Sequence, residues 1–130
     1  MNPDPALPPA ARPLVLLVDD EPELLSVLAE LLAVEFEVVT AGNTAEAELQ
    51  LAQRPFELII CDHLMPRETG LDFLLRIRDC WPQTKRILLT GYMNPELISR
   101  SVPVADLVCC VLKPTSGTEL LAIVRSALAR

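Results

Sequence analysis

From Leu14 onward the chain alternates between two hydrophobic patterns, and it does so five times. Leu14-Val15-Leu16-Leu17-Val18 is apolar at every position, which suits a strand buried on both faces. Pro22 then stands where a helix would begin, and Leu24, Leu25, Leu28, Leu31 and Leu32 recur at helical spacing. Phe36 to Thr40 reads as a second strand. Asn43, with Glu46 three residues on, resembles a capping box that opens a helix to about Gln53. Phe56 to Cys61 reads as a third strand, running into Asp62. Met65 to Glu68 is loop, and a third helix is expected from about Gly70 to Cys80, stopped by Pro82. Arg86 to Thr90 is a fourth strand. Asn94-Pro95 opens a short helix that Pro103 must end or kink. Leu107 to Leu112 is a fifth strand, ending at Lys113-Pro114. Ser116 and Glu119 cap a last helix whose apolar side is Leu120, Leu121, Ile123, Val124, Ala127 and Leu128.

Strand and amphipathic helix alternating in this way predict a single α/β domain, a parallel sheet covered on both faces. In such open sheets the functional groups lie beyond the carboxyl ends of the strands. Those ends carry Asp19 and Asp20 (strand one), Asp62 (three), Thr90 and Gly91 (four) and Lys113 (five). Gathered at one edge, three carboxylates and one ammonium call for a cation, because close like charges raise carboxylate pKa values. A donor set of oxygens alone, without imidazole or thiolate, favours Mg²⁺ over zinc. A carboxylate that is already ionised can attack phosphorus without a general base, while lysine and hydroxyl groups bind the phosphoryl oxygens.

Four segments in this order resemble the receiver (response-regulator) family, from roughly Leu14 to Arg130. They are Asp19-Asp20-Glu21-Pro22, Asp62-His63-Leu64-Met65-Pro66 with Gly70, Leu89-Thr90-Gly91-Tyr92, and Lys113-Pro114. The resemblance implies a flavodoxin-like, doubly wound five-stranded sheet of order 2-1-3-4-5 with five helices. It implies that Asp62 takes a phosphoryl group from a phosphohistidine on a sensor histidine kinase or a histidine phosphotransfer protein. Asp20, Asp62 and the backbone carbonyl of Leu64 would bind Mg²⁺ directly, with Asp19 acting largely through water. Lys113 would pair with the phosphoryl group, the Thr90 hydroxyl would swing toward it, and the Lys113–Pro114 bond would be cis. Such a domain assists its own phosphorylation and slow dephosphorylation; it is a switch of protein contacts rather than an enzyme. The family usually carries an aromatic residue three positions before the lysine. Here that residue is Cys110, so the form of the output switch differs, with Tyr92 as a candidate mover. Leu64 and Tyr92 flank the expected site and would limit water access to an aspartyl phosphate.

Composition narrows the field. The net charge is −7, which repels phosphate backbones and argues against direct nucleic-acid or anionic-membrane binding. No apolar run is long enough to span a bilayer. Met1 to Pro13 holds five prolines and lacks the basic start and apolar middle of a signal peptide; it is read as an extended leader before a receiver domain over residues 14–130. Cys61, Cys80, Cys109 and Cys110 show no zinc spacing and read as reduced thiols of a cytoplasmic protein. Neighbouring Cys109 and Cys110 should point to opposite faces of their strand. His63 reads as a loop residue, and Phe73, Trp81 and Met65 as packing. Three rivals remain. A flavin-binding protein would need a phosphate cradle where Asp19-Asp20-Glu21 stands. An aspartyl-phosphate phosphatase would place a second Asp at the Leu64 position. A pseudo-receiver would keep the fold as a binding module without the chemistry.

Overall fold

A computed structural model of the chain describes residues 12–91 and 95–129. Five strands and five helices alternate: β1 (Leu14–Val18), α1 (Pro22–Leu32), β2 (Glu37–Ala41), α2 (Thr44–Gln53), β3 (Leu58–Asp62), α3 (Gly70–Ile77), β4 (Lys85–Thr90), α4 (Pro95–Val104), β5 (Cys109–Leu112) and α5 (Gly117–Leu128). All strand pairs are parallel, and the order across the sheet is β2-β1-β3-β4-β5. The reversal of order falls between β1 and β3, so their carboxyl ends open onto one crevice.

The fully apolar runs of β1 and β3 are buried at every position. Their side chains alternate between the two helical layers. Val15, Leu17, Leu58 and Ile60 meet Leu28 and Leu32 of α1 and Leu120 and Val124 of α5. Leu16, Val18, Ile59 and Cys61 meet Leu51 of α2 and Phe73, Leu74 and Ile77 of α3. Each such side chain contributes about 1.5–3 kcal/mol when fully buried, so the strands that carry the acidic ends are also the best anchored. Cys110, like Val102, packs on the side of α2 and α3, and Cys109 on the side of α1 and α5, as alternation requires; none of the four cysteines is in a disulfide.

Local signals set most boundaries. Asn43 accepts from the Glu46 amide at 2.8 Å. The Glu46 carboxylate returns to the Gly42 amide, also at 2.8 Å, one residue earlier than a reciprocal box would place it. Ser116 accepts from the Glu119 amide at 3.1 Å. The Asn94 cap expected for α4 lies outside the described residues. β3 starts at Leu58 rather than Phe56 and takes in Asp62, and two further elements are shorter than the periodicity suggests. α3 ends at Ile77, whose carbonyl accepts both the Cys80 and Trp81 amides in a tightening turn. β5 starts at Cys109 because Leu107, though apolar and buried, belongs to the turn that closes α4. Pro103 lies inside α4 rather than ending it. Among the described residues, no helix is long and apolar enough to cross a membrane.

Candidate functional site

β1 delivers Asp19 and Asp20, β3 ends on Asp62, β4 ends on Thr90, and the turn after β5 carries Lys113. Carboxylate oxygens of Asp19, Asp20 and Asp62 lie within 4.8 Å of one another. The Lys113 Nζ stands 3.0 Å from Asp62 Oδ1 and 3.1 Å from Asp19 Oδ2, with Glu21 Oε1 at 3.9 Å. Asp19 and Asp62 are buried and Asp20 is exposed. Both oxygens of Asp19 are engaged by protein donors, because the Glu21 amide donates to its Oδ1 at 3.0 Å.

Electrostatics follow from this burial. Desolvation pushes the Asp62 carboxyl above its ordinary pKa; the Lys113 hydrogen bond opposes the rise and the charges of Asp19 and Asp20 add to it. Burial also works against the Lys113 ammonium. The hydrogen bonds and charges of Asp62 and Asp19 outweigh that, and its pKa rises. Three acidic groups against one lysine leave an excess of negative charge in a partly dry crevice. A hard divalent cation fits it: the donors are all oxygens, and the ion would favour the ionised form of Asp62.

The backbone holds the site together. The His63 amide donates to Leu89 O at 2.8 Å and the Lys113 amide to Thr90 O at 2.8 Å, so strand pairing continues past the strand ends into the functional loops. Thr90 is fully buried and its strand position faces the α3–α4 side, as does Cys110. Gly70 packs where a side chain cannot go: an added Cβ would fall 2.0 Å from Asp62 O. The Lys113–Pro114 peptide is cis. Tyr92 lies outside the described residues. The Leu64 side chain is exposed.

Two contributors carry no strong sequence signal. The His63 carbonyl accepts from the Met65 and Gly70 amides, and its Nδ1 accepts from the Leu71 amide at 3.4 Å. Burial lowers its pKa, with Asp72 pulling the other way, which suits a neutral acceptor at the start of α3. Thr69 caps the same helix through the Asp72 amide at 3.2 Å, a cap readable in hindsight from its place before Gly70.

The comparisons with known proteins agree with this geometry. The response regulator receiver domain family matches residues 15–125. Over 113 residues, 87% of the chain, the sequence is 38% identical to the hydrogenase transcriptional regulatory protein HoxA of Cupriavidus necator. It is 34% identical over 118 residues, 89% of the chain, to the transcriptional regulatory protein CpxR of Escherichia coli. The chain spans 23% of the former and 49% of the latter. Among solved structures it is similar to the signal receiver domain of an HD domain-containing protein from Pseudomonas fluorescens Pf-5. That likeness has a TM-score of 0.84 and 34% identity, over 91% of this chain and 95% of that one.

Proposed function

The chain belongs to the response regulator receiver domain family of two-component signalling, and on that premise we propose that Asp62 accepts a phosphoryl group from a phosphohistidine on a sensor histidine kinase or phosphotransfer protein. One observation carries the reading: the Lys113 ammonium bridges buried Asp62 and Asp19 at 3.0 and 3.1 Å, beside a third carboxylate. A buried carboxylate paired with lysine in a crevice of excess negative charge is an arrangement for handling phosphate and a divalent cation, and costly as mere scaffolding.

In the transfer, a carboxylate oxygen of Asp62 attacks phosphorus as the P–N bond breaks. The histidine nitrogen leaves with the electron pair and takes a proton from solvent. Lys113 moves its hydrogen bond from the Asp62 oxygen to a phosphoryl oxygen, keeping Asp19 as its second partner. Asp20, Asp62 and the Leu64 carbonyl would hold Mg²⁺ directly, with Asp19, whose two oxygens each accept from a protein donor, acting largely through water. Mg²⁺, when bound, supplies charge neutralisation at the phosphoryl oxygens. The Thr90 hydroxyl then turns from its buried position toward the phosphoryl group, and this movement is the signal passed to an output partner or domain. Cys110, on the same face of the sheet, replaces the usual aromatic partner of that motion.

The test is intact-mass spectrometry after incubation with acetyl phosphate and Mg²⁺. One added phosphoryl group is expected, absent without Mg²⁺ and absent in Asp62→Asn. No adduct, under conditions that load a control receiver, would turn the reading to a pseudo-receiver.

A further inference from the structure

The turn from β3 to α3 carries the Leu64 carbonyl and is wound tightly. The Met65 amide donates to His63 O at 3.2 Å and the Glu68 amide to Pro66 O at 2.9 Å, each across a single intervening residue. The second of these bonds closes around Arg67 at φ 74°. Such a bond around a positive φ is the rare, strained form of the γ-turn. Arg67 brings a long side chain to a conformation that favours glycine. A conformation of this kind persists only where the surroundings over-determine it. Leu64, Pro66 and Arg67 are exposed, and Met65 packs against the core.

The next residue supplies a tie. The two carboxylate oxygens of Glu68 accept from Nε and a terminal nitrogen of Arg76, both at 3.0 Å, in the parallel fork that a guanidinium offers a carboxylate. The other terminal nitrogen of Arg76 reaches Glu48 Oε1 of α2 at 2.5 Å. The same guanidinium lies over the fully buried ring of Phe73, 5.3 Å from its centre. Arg76 holds the Glu68 carboxyl below its ordinary pKa against burial, and a hydrogen bond from Thr44, the first residue of α2, adds to the effect. An isolated exposed ion pair contributes little; a bidentate pair joined into a network is the geometry that does contribute. One side chain of α3 thus ties the end of the strained turn to both neighbouring helices.

We propose that Glu68, Arg76 and Glu48 form a strap that keeps the β3–α3 turn in its strained form and so presets the Leu64 carbonyl for Mg²⁺. They are positioning residues that act through the turn. The assignment rests on the receiver reading and deepens it, because it makes the Mg²⁺ affinity of the crevice depend on an ion-pair network outside it.

Charge and positioning predict opposite signs. Arg76→Met removes a positive charge near the crevice and Glu68→Gln a negative one. Acting through charge alone, the first would tighten Mg²⁺ binding, the second would weaken it, and the double variant would return to wild type. A strap that works as a unit is lost in all three, so each should weaken Mg²⁺ binding by the same factor of about ten, the scale of losing a partner that orients a metal ligand. Arg76 and Glu48 are nearly half exposed, so the variants stay folded. Isothermal titration calorimetry of the full chain with magnesium chloride reads the dissociation constants. Adduct formation from acetyl phosphate should come within about twofold of the wild-type rate at saturating Mg²⁺, which places the loss in ion binding rather than in transfer. Tighter binding in Arg76→Met, or a double variant with wild-type affinity, overturns the strap and leaves the receiver reading standing. Unchanged affinity in all three does the same and gives the hold on the turn to Met65 packing. A rate still depressed at saturating Mg²⁺ also overturns it. If the wild-type chain binds no Mg²⁺ and takes no adduct, both fall.

Discussion

β1 and β3 are buried at every position, whereas β5, at one edge of the sheet, keeps three of its four residues partly or fully open to solvent. The acidic groups hang from the first pair; Cys109, Cys110 and the neighbouring surface of α4 belong to the second region. The contrast separates two requirements. On the proposed reading, phosphoryl transfer needs Asp62 and Asp19 held to within a fraction of an ångström, and close-packed strands give that. Relaying the event needs a surface that can occupy two positions, and a half-covered edge strand gives that.

The largest effect should come from removing the one group that reaches across from the β5 turn to the β1–β3 crevice. Lys113→Met leaves Asp62 and Asp19 facing each other without the ammonium that bridges them. The rate of adduct formation from acetyl phosphate should fall by roughly 100-fold, the scale of losing one charge-stabilising donor in a catalytic site. A rate within a few-fold of wild type would mean that the crevice works without its bridge, and the division of labour between the two regions would fail.

The next effect probes rigidity. Gly70→Ala puts a Cβ at 2.0 Å from Asp62 O and 2.9 Å from His63 Cα, both backbone atoms of the anchored region. Nothing there can yield cheaply, so the variant should lose about 1–3 kcal/mol or more of stability in urea unfolding. Gly117→Ala is the control. The three atoms nearest its Cβ all belong to the Leu31 side chain, the closest a methyl carbon at 2.3 Å. That side chain is partly exposed at 37% and can rotate away. At the first position of α5 the gain in helix propensity offsets the adjustment, for a net change of about 0.5 kcal/mol or less. Equal losses in the two variants would show that the crevice is no stiffer than the helical layer.

The same contrast governs how much of the molecule is legible in its sequence. The strands of the anchored region, their acidic ends and the lysine are all readable, because an unbroken apolar run that stops on a charge is the mark of a strand buried on both faces with a polar tip. The family resemblance supplies the strand order and the roles that spacing cannot, such as that of the Leu64 carbonyl. The α4–β5 region is less legible. Leu107 and Val108 extend the apolar run of β5, yet Leu107 closes α4; burial is written in the residue type, and the element it serves is not. Arg86 reads as an ordinary first residue of a strand. Its burial is compensated mainly by the carbonyls of Thr84, Ala105 and Asp106, and a carbonyl looks alike at every residue. His63 reads as plain loop for a related reason, since its partner is the Leu71 amide.

One contact joins the helical layer to a turn far from the crevice, and its loss should be the smallest effect. Glu35, in the turn between α1 and β2, is held by the Arg125 guanidinium of α5, with Nε at 2.7 Å from its Oε2 and a second nitrogen on Oε1. The Arg125 hydrogen bond keeps the Glu35 carboxyl below its ordinary pKa, against the opposing effect of burial. A depressed acid stabilises the fold above its unfolded value of about 4.3, and that contribution is lost as pH falls through the folded pKa. Glu35→Gln should therefore lower the urea midpoint at pH 7 by less than Gly70→Ala does, because Arg125 is partly exposed and the pair is screened. The gap between wild type and variant should close as the pH drops below about 4.3. Adduct formation at pH 7 should be unchanged, since neither residue touches the crevice. A gap that persists at low pH would mean that Glu35 acts through packing alone, and a slowed adduct would mean that the α1–α5 layer also sets the geometry of Asp62.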